Sequence, residues 1–309
     1  MSRVLLTGGA GFMGSQMARS LSEAGRDVVV FDKLTYAGHL AHIEGVKHEF
    51  IEACICDESA VRAAMDGVDV VVHMAAESHV ANSLHEPDSF LQTNVVGTRV
   101  LLSEACAAGV PQFIHVSTDE VFGESQPGVA FAPNDPMKPG NAYAASKVGA
   151  EALVHAWRHT HSYPATIVRC TNNFGPRQHP EKAIPWWILA GLSGGPIPVH
   201  GEGIAVRDWL YVEDFARGVM AAIDGWQDNA TWHFAGRNHL QNRDMAGNIC
   251  DMLGASGLEF GPERLGQDYR YALDDEHTRS TLNWKPQVSI EDALRATVDW
   301  YRSHGHRWD

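Results

Sequence analysis

The chain has 309 residues and carries 24 Lys+Arg against 38 Asp+Glu, a formal net charge of -14. A surface that acidic repels a phosphate backbone, and no basic run overrides it, so nucleic acid is excluded as a partner. With 44% hydrophobic and 20% charged residues, the chain suits one large domain or two intimately packed ones, and disorder is not expected.

The N-terminal "MSRVLLTGG" is too short an apolar run for a signal peptide, and no stretch reaches the ~20 apolar residues of a membrane span. A soluble, cytoplasmic protein is expected. The five cysteines are scattered through apolar segments, as reduced thiols rather than a disulfide framework would be. Cys54 and Cys56 lie two apart in what reads as a strand. No second Cys or His pair stands at zinc-site spacing, and the 17 histidines form no HExxH pattern, so no metal is expected.

In chain order, "RVLLTG" (3–8) reads as a first strand and 13–24 as a helix. "DVVVFD" (27–32), "KHEFIEA" (47–53) and "VDVVVHMA" (68–75) follow as strands, then a helix over 94–108. "QFIHVST" (112–118) precedes a helix over 143–161, and "ATIVRCT" (165–171) and "TWHFAG" (231–236) complete the set. Continuous apolar strands alternating with helices predict a parallel sheet covered on both faces, a doubly wound α/β or Rossmann fold. After residue 173 Pro and Gly become frequent and the pattern loosens. The expected division is a dinucleotide-binding domain over 1–173, with 205–235 returning to it, and a smaller α/β substrate lobe from 174–204 and 236–309.

The first turn, "TGGAGFMGS", spaces Gly8, Gly11 and Gly14 between a strand and its helix. Glycine there permits a tight turn and a close approach of backbone amides to a pyrophosphate. The second strand ends on Asp32, whose carboxylate accepts from ribose hydroxyls and repels a 2′-phosphate, so NAD is predicted over NADP. Lys33 beside it is the one feature that argues the other way. In "YAASK", Tyr143 and Lys147 stand four apart on one helix face, where an ammonium can lower a phenol's pKa and make it a workable base for an alcohol. Thr118 closes the fifth strand, and Asp119 and Glu120 follow it side by side.

These segments, with "DKLTYAG", "HMAAESHV", "TNVVGT", "STDEVFG", "NNFGPRQHPEKAIP", "RDWLYVEDFARG" and "LNWKP", resemble nearly end to end the extended short-chain dehydrogenase/reductases that act on nucleotide sugars. Within them the likeness is to the dTDP-glucose 4,6-dehydratases, and the Thr-Asp-Glu triplet is its most specific part. The resemblance implies a lyase of deoxysugar biosynthesis. Tyr143 takes the 4-hydroxyl proton as C4 gives hydride to NAD, Glu120 removes the C5 proton, protonated Asp119 assists loss of the C6 hydroxyl, and hydride returns to C6. Adjacent carboxylates split their pKa values by repulsion, which is how neighbours become one acid and one base.

It further implies that Thr118 bonds the 4-oxygen and that Lys147 also binds the nicotinamide ribose. Phe12, Met13, Ala75, Ala76 and Asn94 would flank the cofactor. Glu77, Ser78, His79, Asn172 and Asn173 would meet the sugar side, and Lys182, Arg207, Asn238 and Arg264 the diphosphate and nucleotide. A dianionic diphosphate on an acidic protein needs such local cations. A homodimer through helices 94–108 and 143–161 is also implied. The chain departs from the family at Ala81-Asn82-Ser83 (usually Asp-Arg-Ser), at Cys54, at His200 and over 263–268, which leaves the sugar and the base open. The same scaffold also serves 4-epimerases and 5,6-dehydratases, and more distantly a non-catalytic dinucleotide sensor.

Overall fold

The structure is a computed structural model that describes residues 2–305. The strands are β1 (Arg3–Thr7), β2 (Asp27–Asp32), β3 (Glu49–Glu52), β4 (Val70–His73), β5 (Gln112–Thr118) and β6 (Ala165–Cys170). Then come β7 (Asn172–Phe174), β8 (Ile197–His200), β9 (Val206–Tyr211), β10 (Thr231–Phe234), β11 (His239–Gln241) and β12 (Leu258–Gly261). The helices are α1 (Phe12–Glu23), α2 (Glu58–Ala64), α3 (Val80–His85), α4 (Pro87–Phe90), α5 (Gly97–Ala108) and α6 (Ala142–Thr160). They continue with α7 (Ala183–Leu192), α8 (Val212–Asp224), α9 (Asn242–Leu253), α10 (Glu276–Leu282) and α11 (Ile290–His304).

All seven strands expected from the apolar runs join one parallel sheet, in the order β10-β6-β5-β4-β1-β2-β3. Their continuous apolar character follows from burial on two sides. Val4, Leu6, Val30, Val72 and Ile114 pack under α1 and α8, while Leu5, Val29, Val71, Phe113 and Ile167 pack under α2, α5 and α6. Strand order reverses between β1 and β4, and in such sheets the crevice opens beyond the carboxyl ends of the strands at that point. Thr7, Asp32, His73 and Thr118 all end strands there.

Within 205–235, β9 pairs with β7 and β11 in a small three-stranded sheet, whereas α8 packs on α1 and β10 joins β6. A separate apolar core, built on Phe174, Trp187, Ile188, Trp209 and Tyr211, gathers α7, α9 and α11 around that small sheet.

Two local expectations change. The third strand stops at Glu52, so Cys54 and Cys56 lie in a turn rather than in a strand. The cause is Asp57, whose Oδ1 accepts from the amides of Ser59 and Ala60 and starts α2, forcing the chain to turn first. The helix expected over 94–108 is preceded by a π-helical stretch, Leu91–Val96. The Asn94 side chain is bound there to the backbone of Glu77 on both its amide and its carbonyl. All five cysteines are free thiols. Among the described residues no helix is long and apolar enough to cross a membrane.

Candidate active site

A cavity of about 310 Å³ lies across the carboxyl ends of the strands. Gly8, Gly11, Phe12, Met13, Gly14 and Asp32 line one end, and Thr118, Asp119, Glu120, Tyr143 and Lys147 line the other. Ala75, Ala76, Glu77, Ser78, Asn172, Asn173 and Lys182 complete the walls. A larger cavity, about 800 Å³ between α1, α8 and α11, holds none of the residues singled out from the sequence. The chemistry therefore sits in the smaller one.

At the glycine end Gly8 has φ 70°, and a Cβ there would stand 2.7 Å from the backbone of Ala75. A Cβ on Gly14 would stand 2.0 Å from the carbonyl oxygen of Gly8. No side chain fits either place, so the turn lies flat against the start of α1, which begins with the Ser15 amide donating to Gly11 at 2.9 Å. Backbone amides at a helix N-terminus suit a pyrophosphate. Asp32 fastens this turn as well as facing the cavity. Its carboxylate accepts from the Ala10 amide at 3.0 Å and from the Leu34 amide at 2.9 Å. Burial pushes its carboxyl above the ordinary range, and those amides oppose the shift. Lys33 faces Glu77 across 3.8 Å. Cradle and carboxylate together fit a dinucleotide with a free ribose diol.

At the other end β5 runs into a short turn, Asp119–Phe122. The buried Arg169, ion-paired to Glu151 on α6 at 2.6 Å, stacks over the Phe122 ring at 4.7 Å and fixes that turn against the sheet. Asp119 is 3% exposed. Its Oδ1 accepts from the Thr118 hydroxyl at 3.1 Å and its Oδ2 is buried without a partner. Burial above all, then the charge of Glu120, holds the Asp119 carboxyl well above the usual carboxylate range. Glu120 Oε2 accepts from Asn141 Nδ2 at 3.2 Å. Two neighbouring acids thus occupy unlike surroundings, one fully buried with an unpartnered oxygen and one partly exposed and held by Asn141.

Tyr143 and Lys147 share a face of α6, but the phenol is not eased toward phenolate as the spacing suggested. Burial, and then the Glu120 carboxylate, hold it well above its ordinary value, with only the Thr118 hydroxyl opposing. The Lys147 ammonium is directed elsewhere, donating to the Val116 carbonyl at 2.7 Å, with His115 Nε2 at 3.5 Å. Burial lowers the Lys147 pKa to about 8.

Five residues implied by resemblance lie outside the cavity walls. Asn94 is buried, clamping the backbone of Glu77 and donating to Ser146 at 2.8 Å. His79 faces Glu181 at 3.5 Å. Arg207 donates to the carbonyls of Val206 and Asp268, and Asn238 to those of Trp209 and Gly236. Arg264 stands in a loop within the field of Glu120. In the first four cases backbone groups or a neighbouring acid hold the side chain beside the cavity rather than in it. Lys182, by contrast, reaches in and donates to the Ser78 carbonyl at 2.8 Å.

The sequence did not single out Glu181, Asn141 or Tyr271. Glu181 lines the cavity and gathers His79, His179 and Lys182 at 3.5, 3.7 and 4.0 Å. Its one signal was its place beside Lys182 in "HPEK". Asn141 announces itself as the N-cap of α6, whereas nothing near Tyr271 in the sequence points to Glu120.

The profile of the NAD dependent epimerase/dehydratase family matches residues 4–232. The chain belongs to that family. Within it, the chain is 42% identical to the low-salt glycan biosynthesis protein Agl12 of Haloferax volcanii, over 96% of this chain and 98% of that one. It is 38% identical to a dTDP-glucose 4,6-dehydratase of Streptomyces niveus, over 99% and 95% of the two chains. The crystal structure of DesIV, a dTDP-glucose 4,6-dehydratase from Streptomyces venezuelae solved with NAD bound, matches with a TM-score of 0.96 at 39% identity, covering 99% of each chain. The doubly wound fold is therefore that of the epimerase/dehydratase family, parallel sheet and flanking helices included.

Proposed function

We propose that the protein is an NAD-dependent nucleotide-sugar 4,6-dehydratase, which turns a nucleoside-diphosphate hexose into the 4-keto-6-deoxy sugar with loss of water. The observation that carries this reading is the buried Asp119 carboxyl beside Glu120, in the same cavity end as Tyr143. An epimerase has no use for a protonated acid next to a base. Relatives named as dTDP-glucose 4,6-dehydratases support it along nearly the full length of the chain.

Gly8, Gly11, Gly14 and Asp32 would hold NAD, which when bound would supply the oxidising power for C4 and the hydride for C6. Tyr143 would accept the proton of the 4-hydroxyl as phenolate, a form that burial and the Glu120 charge oppose and that positive charge from the bound cofactor would have to favour, while the Thr118 hydroxyl steadies the 4-oxygen. With a ketone at C4 the C5 hydrogen is acidified, and Glu120 takes it as the C6 hydroxyl departs with the proton of Asp119. Glu120 then returns its proton to C5, and the proton held by Tyr143 replaces the one Asp119 gave. Lys182 and Arg264 supply positive charge for the diphosphate. The cofactor is assigned to 1–173 with α8 and β10 of 205–235, and the substrate lobe to 174–204 and 236–309 with β9 of 205–235 joined to its small sheet, residues 306–309 lying outside the described ones; the working unit is a homodimer.

The test is a panel of dTDP-, UDP-, CDP- and GDP-hexoses incubated with the purified protein and NAD, read by the alkali-induced absorbance of a 4-keto-6-deoxy product. That product from at least one sugar is expected. An epimerised hexose, or an unsaturated sugar that never regains hydride at C6, would replace the reading with one of the other reactions this scaffold serves.

A further inference from the structure

Tyr271 belongs to a segment far from the catalytic turn in sequence but stitched to it in space. The Ser125 amide donates to the Arg270 carbonyl at 3.0 Å, that of Phe131 to Ala272 at 3.0 Å and that of Asp274 to Phe131 at 2.8 Å. This holds the segment along the chain that follows Asp119 and Glu120. Tyr271 is 3% exposed, and the Arg207 guanidinium covers its ring at 4.7 Å. Its hydroxyl lies 2.9 Å from Asp268 Oδ2 and 3.5 Å from Glu120 Oε2. One phenolic proton thus faces two carboxylates. Burial and the Glu120 charge push the phenol upward, so the group stays a donor. Asp268 is itself seated over the start of α6, where a Cβ on Gly140 would come within 3.0 Å of both its oxygens. The second donor to Glu120 Oε2 is Asn141, which also caps α6 by accepting from the Ala144 amide at 2.8 Å.

We propose that Tyr271 is a positioning residue for Glu120, its hydroxyl and the Asn141 amide together holding Oε2 so that Oε1 is left to the substrate. This rests on the reading of Glu120 as the C5 base. A carboxylate on a flexible side chain is an efficient base only when its orientation is fixed beforehand. Asn141 fixes it from α6 and Tyr271 from the segment assigned to the substrate lobe, so the angle of the base depends on how that lobe is seated.

Tyr271→Phe keeps the ring under Arg207 and removes only the hydroxyl. The expected result is a kcat lowered roughly tenfold, the scale of one lost hydrogen bond to a charged group, with KM for the nucleotide sugar nearly unchanged. The isotope effect on kcat with C5-deuterated substrate should rise, because C–H cleavage then limits turnover. A purely structural role would leave that isotope effect where it was, and an unaltered kcat overturns the inference. A crystal structure of the same variant gives a second readout that needs no turnover. A Glu120 carboxyl turned away from Asn141, or spread over several rotamers, supports the assignment. Its unmoved density sinks it, whatever reaction the wild-type protein is found to perform.

Discussion

Asp119 and Glu120 differ by one position and by almost everything else that governs a proton. Asp119 is sealed in with only the Thr118 hydroxyl for company, and burial holds its carboxyl well above the usual carboxylate range. Glu120 instead accepts from Asn141 at 3.2 Å and faces the Tyr271 hydroxyl at 3.5 Å. Glu120→Gln keeps the shape and removes the base. Net 4-keto-6-deoxy product should fall by at least about three orders of magnitude, within the scale of a lost general base, while NAD affinity by equilibrium titration stays near wild type. Normal turnover by that variant would remove Glu120 from the chemistry.

A different residue-scale effect concerns stability. Burial lowers the pKa of His73, between the hydroxyls of Thr7 and Thr98, from 6.5 to about 3, and that of His233 likewise to about 3. Below pH 6.5 the unfolded chain takes up protons that the folded one refuses until about pH 3, so stability falls as the pH is lowered through that window. Each such imidazole contributes about 1.4 kcal/mol per pH unit. Urea unfolding between pH 6.5 and 5 should show this slope, and His73→Gln should flatten it by one such increment.

At the scale of elements, the turn between β1 and α1 works because two segments approach more closely than any side chain allows. Gly14→Ala would drive a methyl to 2.0 Å from the Gly8 carbonyl oxygen, so α1 must move away from the turn. We expect a loss of about 2–3 kcal/mol of stability, the scale of overpacking, and roughly tenfold weaker NAD binding as the helix N-terminus leaves its place. Thermal unfolding and NAD titration measure the two separately. The same closeness explains Gly97, where a Cβ would stand 2.4 Å from Ile55 Cδ1 and where the π-helical stretch gives way to α5. That stretch turns Asn94 inward to clamp Glu77, a task that helical periodicity does not reveal.

At the scale of the molecule, α5 and α6 lie side by side, and α6 presents Ala152 and Ala156 exposed with Leu153 and Trp157 half-buried. Small residues let helices of two copies approach closely, which suits the homodimer proposed above. Light scattering at micromolar concentration should give twice the chain mass, and Ala156→Glu should shift it toward the monomer. A monomeric wild type rejects the dimer.

What the sequence determined by itself is what neighbouring residues can express. The seven strands of the sheet declared themselves because burial on both faces demands unbroken apolar runs. The glycine turn, the Tyr143–Lys147 pair and the Asp119–Glu120 pair are local spacings of the same kind. Tertiary structure decided the rest. Tyr271 meets Glu120 across 151 residues of chain, Glu181 meets Tyr36 and His79 from two distant segments, and Lys147 turns from the phenol to the Val116 carbonyl. Hydrogen bonds and desolvation depend on what is packed around a group, and packing brings together segments that no spacing along the chain relates.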